Sequence, residues 1–441
     1  MAIKRKIIIK PRRPSGFQEY LPQDQIIMND ILDRIKQSYE LFGFTPIETP
    51  AVEFTEVLKA NVGDETQKQI YRLDKDGDDL SLHFDLTVPL ARYVAQNFHN
   101  LVFPFRRYQI QKVWRGERSQ KGRFREFYQC DIDIIGSNNL LADAEIPSII
   151  SYVFSSLKFG NFTVKVNNRK ILSGLLEDLN ISRHTNSVLR TIDKIEKHGF
   201  KKTIQELGKI GISADRVKVI QKLLEISGSN EQIISQLLSF KVKSPMFKTG
   251  VEELAFVVKQ AILFGVSGKS LKIDLTIVRG LDYYTGTVYE TVLNNYPEIG
   301  SICSGGRYDD LISKFGDVKL SGVGVSIGLS RLFYQLQEAG ILKGSQFTPS
   351  KVLVVQIGDK ILEYCIKVVT ELRKNGINSE IYLESKKMKK SMRYANRLKV
   401  PYVIIIGEEE VANNLLTLKI METGDQSKLS LMEAIQTIEE G

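Results

Sequence analysis

The sequence predicts an α+β protein of more than one domain, and three observations carry that reading. Residues 101–135 read as a β-hairpin, residues from about 172 to 262 lack strand patterning, and from Lys351 onward strand and helix patterns alternate. At 441 residues and 42% hydrophobic content the chain exceeds what one core usually accommodates, so two or three domains are expected.

The first fourteen residues, MAIKRKIIIKPRRP, hold six Lys or Arg and no acid. They read as a solvated basic tail; an RNA-contacting arm is the sharper alternative, and organelle targeting a third. Over 23–42, Ile27, Ile31, Ile35, Tyr39 and Phe42 recur at helical spacing, and Gly43 stops the helix before the extended GFTPIETPAVE. In the hairpin, VFPFRRYQIQKVWR meets FREFYQCDIDIIG across the polar GERSQKG. The 172–262 block, with runs such as KVIQKLLEISGSNEQIISQLL, is a helical insertion. Strand patterns resume at LKIDLTIVRG and TVYETVL; SGVGVSIG then alternates Val323, Val325 and Ile327 before the helical LSRLFYQLQEAG. A linker at 343–350 precedes the alternating segment 351–441, whose order predicts a small α/β domain with a mostly parallel sheet. Its second helix is strongly basic: seven Lys or Arg stand against one acid between 384 and 400, on a solvated face or an RNA-contacting one.

Cys130, Cys303 and Cys365 lie far apart with no CxxC pair, and there are four histidines, which argues against a structural zinc site or a disulfide framework and suits a reducing compartment. No apolar run approaches a membrane span, and a signal peptide is not expected. The net charge of +9 suits a polyanionic partner such as nucleic acid and says nothing about fold.

Chemistry concentrates in the hairpin. Period-2 geometry puts Phe127, Gln129, Asp131 and Asp133 on one face of the second strand and Tyr128, Cys130, Ile132 and Ile134 on the other. On the first strand Val113, Arg115 and Glu117 share a face. One sheet surface thus offers a cation for phosphate, an aromatic for a base and acceptors for amines, although an ordinary exposed face with ion pairs would carry the same residues.

The segment WRGERSQKGRFREFYQCDIDIIG resembles the second signature motif of class II aminoacyl-tRNA synthetases: Arg-x-Glu, a variable loop and a returning Phe. VRGLDYYTGTVYE (278–290) and SGGRYDDL (304–311) are similar to the two histidine-specific signatures of the histidyl-tRNA synthetase family. DLTVPLARY (85–93), Pro50 in the GFTPIETPAVE motif and GVGVSIGLSRL complete the pattern. The resemblance spans nearly the whole chain and is weakest across the helical insertion and the first dozen residues. It implies a class II core over 15–171 and 263–342, built on an antiparallel sheet of six or more strands flanked by helices, and an anticodon-binding α/β domain over 351–441. The activity it implies is ATP-dependent activation of L-histidine and transfer to histidine tRNA.

By resemblance, Arg115 and Arg279 are the catalytic cations at the α-phosphate, where negative charge builds in the transition state. A guanidinium suits this because it donates two parallel bonds and keeps its proton. Asp85, Thr87 and Gln129 are assigned to the substrate amine, with Leu86 among them in the histidine site, Asp133 and Tyr284 to the imidazole with Tyr283 nearby, and Arg115 and Arg279 to the carboxylate side. ATP is expected at Arg115, Glu117, Arg123, Phe127 and Arg331, with Mg2+ entering alongside it and no protein metal site. Gly305, Gly306, Arg307 and Tyr308 look like the pocket floor. tRNA contacts are expected from Gln120 and Lys121 in the hairpin loop and from Lys386, Lys387, Lys389 and Lys390. A homodimer is implied by the first class II motif, and a cytoplasmic location with no membrane association is expected.

Three positions depart from the family pattern. Ser330 stands where the third class II motif usually has an acid, Asp133 where a longer Glu is common, and Asp85 where a Glu is common. The competing readings are catalytically silent: a synthetase-like regulatory subunit, which typically lacks the RGLDYY-type segment and the anticodon domain present here, and an RNA-sensing module attached to a kinase segment that this chain lacks.

Overall fold

The structure is a computed structural model that describes residues 9–60, 67–74, 77–118, 121–278, 284–309, 312–315, 319–342, 347–358, 360–384 and 387–440. By its internal contacts the chain divides into two units, residues 1–18 with 33–341 and residues 19–32 with 342–441.

The larger unit is organised by an eight-stranded sheet. The strands are β1 (Thr45–Pro46), β5 (Phe105–Trp114), β6 (Glu126–Ile135), β7 (Phe162–Asn168), β8 (Leu271–Ile273), β9 (Thr287–Leu293), β10 (Ser301–Tyr308) and β11 (Gly322–Gly328), in the order β1-β5-β6-β11-β10-β9-β7-β8. The inner six strands pair antiparallel, as expected; only the two short edge strands pair parallel. A separate three-stranded sheet joins β2 (Val52–Phe54), β4 (Leu80–Leu82) and β3 (Arg72–Leu73).

Alternation explains how the large sheet carries both a core and a site. On β6, Cys130, Ile132 and Ile134 are buried on one face, where the Tyr39 hydroxyl of helix α1 (Pro22–Leu41) donates to the Cys130 carbonyl at 3.1 Å. The opposite face presents Phe127, Gln129, Asp131 and Asp133. The long hairpin β5-β6 pairs from Phe105↔Ile135 to Trp114↔Glu126, so its loop begins where Arg115 stands.

Helix α2 (Thr55–Lys59) is short; helix α3 (Thr87–Gln96) follows Asp85, whose Oδ1 accepts the Val88 amide at 3.1 Å and closes the first turn. Helix α4 (Leu141–Leu157) packs against the sheet, and α5 (Arg169–Asp178) crosses the helix Pro245–Leu263 closely enough that a Cβ at Gly250 would lie 2.8 Å from the Ile171 amide. Between those two helices every long element is helical, from Thr185–Ile192 to Asn230–Ser239.

The smaller unit's five-stranded sheet runs β13 (Ser379–Ile381), β12 (Val352–Gln356), β14 (Tyr402–Ile406), β15 (Leu416–Ile420), β16 (Gln426–Leu429). Both faces are covered: Val352, Val354, Ile404 and Ile406 join one core, and Leu353, Val355, Val403 and Ile405 the other, which is why VLVV and VIII read as unbroken apolar runs. The expectation of a mostly parallel sheet is corrected. β13-β12-β14 pair parallel, but β14-β15-β16 pair antiparallel, because the METGD turn between the last two strands is far too short for a parallel crossover. Among the described residues no helix is long and apolar enough to cross a membrane, and the three cysteines are buried and form no disulfide.

Candidate active site

The polar face of the sheet forms the wall of a cavity of about 620 Å³. Register orders this face of the sheet in rows across four strands, of which the cavity takes some members and others lie behind it. Arg107, Asp133, Gly324 and Gly306 stand abreast; the next row is Gln109, Asp131, Ser326 and Ser304; then come Gln111, Gln129 and Gly328. The glycines make the concavity. A Cβ at Gly324 would collide with the Asp133 carboxylate and the Ile132 carbonyl, and one at Gly306 would come within 2.9 Å of the Tyr284 ring.

One stretch of the cavity is acidic. Asp85, Thr87, Gln129, Asp131, Asp133, Tyr284 and Tyr308 line it, with the three aspartates almost wholly buried. Burial pushes Asp85 up to about 6, against the opposing pull of the Val88 amide and Arg115. It pushes Asp133 up to about 7 against Arg107 and the Tyr308 hydroxyl, and raises Asp131 against Arg107 and Ser326. Gln129 Nε2 donates to Ser326 Oγ at 2.7 Å and leans on Asp131 Oδ1 at 3.4 Å, so its carbonyl end faces Arg115 Nη2 at 3.5 Å.

The other stretch is cationic and aromatic. Arg115, Glu117, Arg123, Phe127 and Arg331 line it. Phe127 and Asp133, six residues apart on one strand, are separated by about 20 Å along it. Arg115 donates through Nε to the Phe84 carbonyl at 2.9 Å, which aims its other nitrogens across the cavity, and Arg123 lies 3.6 Å from Glu117. Arg331 Nη2 donates to the Ile299 carbonyl at 3.2 Å, the local partner that the absence of an acid at position 330 left unassigned. Ser330 itself accepts the Tyr128 amide on Oγ at 2.9 Å, fastening helix Leu329–Glu338 to β6 beside Phe127.

Several expected site residues stand elsewhere. Leu86 is wholly buried and off the cavity, because at the turn into α3 Asp85 and Thr87 face the cavity while the residue between them packs inward. Of the four floor candidates only Tyr308 lines the cavity. Gly306 backs Tyr284, whereas Gly305 and Arg307 fall on the opposite side of β10 by alternation. The Arg307 guanidinium is there held bidentately by Asp143 and donates to the Ser137 carbonyl at 3.0 Å and Ser321 Oγ at 3.1 Å. Lys121 is exposed, 4.0 Å from Glu338. Lys387, Lys389 and Lys390 are exposed at the start of helix Met388–Leu398. Arg279, Tyr283, Gln120 and Lys386 lie outside the described residues.

The cavity also takes residues that sequence reasoning did not select. Asp131 shares the face of Gln129 and Asp133, and that alternation was the available signal. Gln69, Ser304, Ser326 and Asp193, the last from the helical insertion, carry no pattern that marks them.

A six-stranded antiparallel core with this hairpin, and a wall where an arginine, a returning phenylalanine and a post-strand arginine converge, define the catalytic fold of a class II aminoacyl-tRNA synthetase. The family described as Histidyl-tRNA synthetase matches residues 16–332, and that described as Anticodon binding domain matches 351–441. The Histidine--tRNA ligase of Clostridium tetani is 54% identical over 437 residues, covering 98% of this chain and 99% of that relative. That of Clostridium acetobutylicum is 46% identical over 428 residues, covering 96% and 99%. The crystal structure of histidyl-tRNA synthetase from Nostoc sp. PCC 7120 superposes with a TM-score of 0.91 at 40% identity, covering 98% of this chain and 100% of that one. The chain belongs to the histidyl-tRNA synthetase family.

Proposed function

We infer that the chain is a histidine–tRNA ligase, activating L-histidine with ATP to the adenylate and transferring the histidyl group to the 3′ end of histidine tRNA. The observation that carries this is the single cavity in which buried carboxylates and a cation–aromatic stretch lie along one sheet wall, on a chain whose relatives are histidine–tRNA ligases along almost their whole length. The silent regulatory and RNA-sensing readings are not favoured.

The chemistry assigns the residues. Histidine's carboxylate is already a nucleophile at neutral pH, so attack on the α-phosphorus of ATP needs neutralised charge and alignment rather than a general base. Arg115 supplies a fixed cation from one side, and Arg279 is its counterpart by family resemblance. Asp85, Thr87 and Gln129 accept from the ammonium group; Asp133 and Tyr284 partner the imidazole. Phe127 stacks on adenine, Glu117 takes its amine, and Arg123 and Arg331 meet the outer phosphates. Mg2+ enters as part of the nucleotide substrate and neutralises its phosphates.

tRNA is engaged by the basic helix Met388–Leu398 and by the hairpin loop at Lys121. A homodimer suits the exposure of Leu41, Val52 and Phe54 around the first class II motif, apolar groups that a second copy would cover. Three cysteines without a disulfide suit the cytoplasm.

The test is exchange of labelled pyrophosphate into ATP with each of the twenty amino acids in turn, with Arg279→Ala as control. Exchange with histidine alone, lost in a folded Arg279→Ala protein, is the expected outcome; no exchange with any amino acid would return the weight to a silent paralogue.

A further inference from the structure

We propose that Arg107 is a specificity-determining positioning residue of the histidine site, clamping Asp133 from the neighbouring strand so that its carboxylate is held as an acceptor aimed into the cavity. This rests on the reading of Asp133 as the imidazole partner.

Arg107 is fully buried, an unusual place for a guanidinium, and it stands directly across from Asp133 in the β5-β6 register. Its Nη2 lies 2.6 Å from Asp133 Oδ2, and its Nη1 donates to Gln109 Oε1 at 3.4 Å. Gln109 is itself fixed, donating through Nε2 to Thr49 Oγ1 at 2.9 Å and Gln111 Oε1 at 2.7 Å. From the far side the Tyr308 hydroxyl donates to Asp133 Oδ1 at 2.6 Å. The glycines admit the clamp: the Tyr308 ring lies over Gly322 and the Asp133 carboxylate over Gly324, and neither position has room for a Cβ. The carboxylate therefore has the Arg107 charge against one oxygen and a hydrogen bond from Tyr308 on the other, and each oxygen keeps a lone pair for a ligand.

A clamp of this kind answers a problem the site sets itself. Aspartate is one methylene shorter than the glutamate the family pattern commonly carries, so it cannot swing to meet the ring and must be placed. It is also surrounded by groups that work against its charge. Asp131 on its own strand and Asp85 ahead of α3 are like charges, and the neutral phenols Tyr308 and Tyr284 offer no countercharge; among the described residues Arg107 is the cation set against it. Without Arg107, the buried Asp133 holds its proton to higher pH and presents a donor where the imidazole needs an acceptor. Replacing one member of a merely structural ion pair, by contrast, costs stability but leaves the pH dependence of ligand binding unchanged.

The experiment measures the histidine KM and kcat by pyrophosphate exchange at saturating ATP from pH 6 to 9, for the full chain and for Arg107→Met, Arg107→Lys, Arg107→Gln and Asp133→Asn, with folding followed by circular dichroism. The substrate's own imidazole titrates identically in every case, so differences between proteins report the site. Arg107→Met is expected to raise the histidine KM on the order of 10- to 100-fold at pH 7 with kcat little changed, and to recover as the pH rises, its acidic limb displaced upward by about 1–3 pH units. Arg107→Lys, which keeps the charge, is expected to restore part of that limb. A KM rise that does not depend on pH, or no rise, overturns the role of Arg107. Should Arg107→Met fail to fold, Arg107→Gln decides: a wild-type KM and a wild-type limb overturn the role, because a neutral side chain of similar size removes the charge that faces Asp133. Asp133→Asn separates the two levels. If it leaves the histidine KM unchanged, the imidazole assignment of Asp133 falls; if it impairs binding while Arg107→Met does not, only the clamp falls.

Discussion

The Arg115 guanidinium sits over the ring of Phe127, 5.1 Å from its centroid. One aromatic face is thus occupied by Arg115, which leaves the other open for the adenine proposed to stack there; on that proposal the ring would link nucleotide binding to the position of the arginine. Phe127→Leu is expected to raise the ATP KM in pyrophosphate exchange by about tenfold, the order of one base–aromatic stack at 1–3 kcal/mol, with the histidine KM nearly unchanged. Phe127→Ala also frees Arg115 and should lower kcat. An ATP KM unmoved by either substitution removes Phe127 from the nucleotide site.

Arg307 belongs to stability rather than to the cavity. It ties β10 to the start of α4 through Asp143, to the segment after β6 through Ser137, and to the entry of β11 through Ser321. Both members of the pair are almost fully buried, so removing one strands the other charge. Arg307→Met is expected to destabilise the catalytic unit by about 3–5 kcal/mol, read as an earlier denaturant transition. A transition that does not move would show that the pair contributes no more than an exposed one.

The aspartates of the cavity set a pH dependence of opposite sign to the usual carboxylate case. Asp85 at about 6 and Asp133 at about 7 hold protons in the folded chain that the unfolded chain releases near pH 4. Their contribution to stability is fully present below the unfolded value and is lost as pH rises through the folded values, roughly pH 4 to 7. The ligand-free protein should accordingly lose stability between pH 5 and 7.5 in urea melts, and Asp133→Asn should flatten that slope. An identical slope in the variant would mean that Asp133 carries no raised pKa.

What the residues disclosed depended on whether a local period carried it. The β5-β6 hairpin, its two faces and the alternation in β11 follow from period 2, and helix α1 from the 3.6-residue spacing of Ile27 to Tyr39. Asp131 was on the correct face but unselected, since alternation places a side chain without telling ligand from wall. Arg107 gave no signal at all: a basic residue near the start of a strand is ordinarily a surface charge, and its burial comes from strand order, which brings β11 and β10 alongside β6 only in three dimensions. Leu86 and Arg307 were grouped with neighbours whose side chains point the other way. The antiparallel end of the smaller sheet was missed because a closing hairpin and a parallel crossover both begin with an apolar run after a turn.

The basic helix Met388–Leu398 offers a test that separates RNA binding from chemistry. Ser391 and Ala395 are buried on one face, whereas Lys389, Lys390, Arg393 and Arg397 are exposed, with Lys387 just before and Lys399 just after. Exposed like charges on one helix repel one another and lower its stability slightly, so a polyanion is the partner that makes the arrangement favourable. Fewer neutralised phosphates also mean fewer counterions released, and so a gentler weakening of binding by salt. Replacing Lys386, Lys387, Lys389 and Lys390 together by Gln should therefore raise the tRNA KM by about tenfold or more at low salt and make it less salt-dependent, with histidine-dependent pyrophosphate exchange unchanged. Parallel loss of charging and exchange would place the defect in folding or in the catalytic unit, and the lysines would then be a solvated face and nothing more.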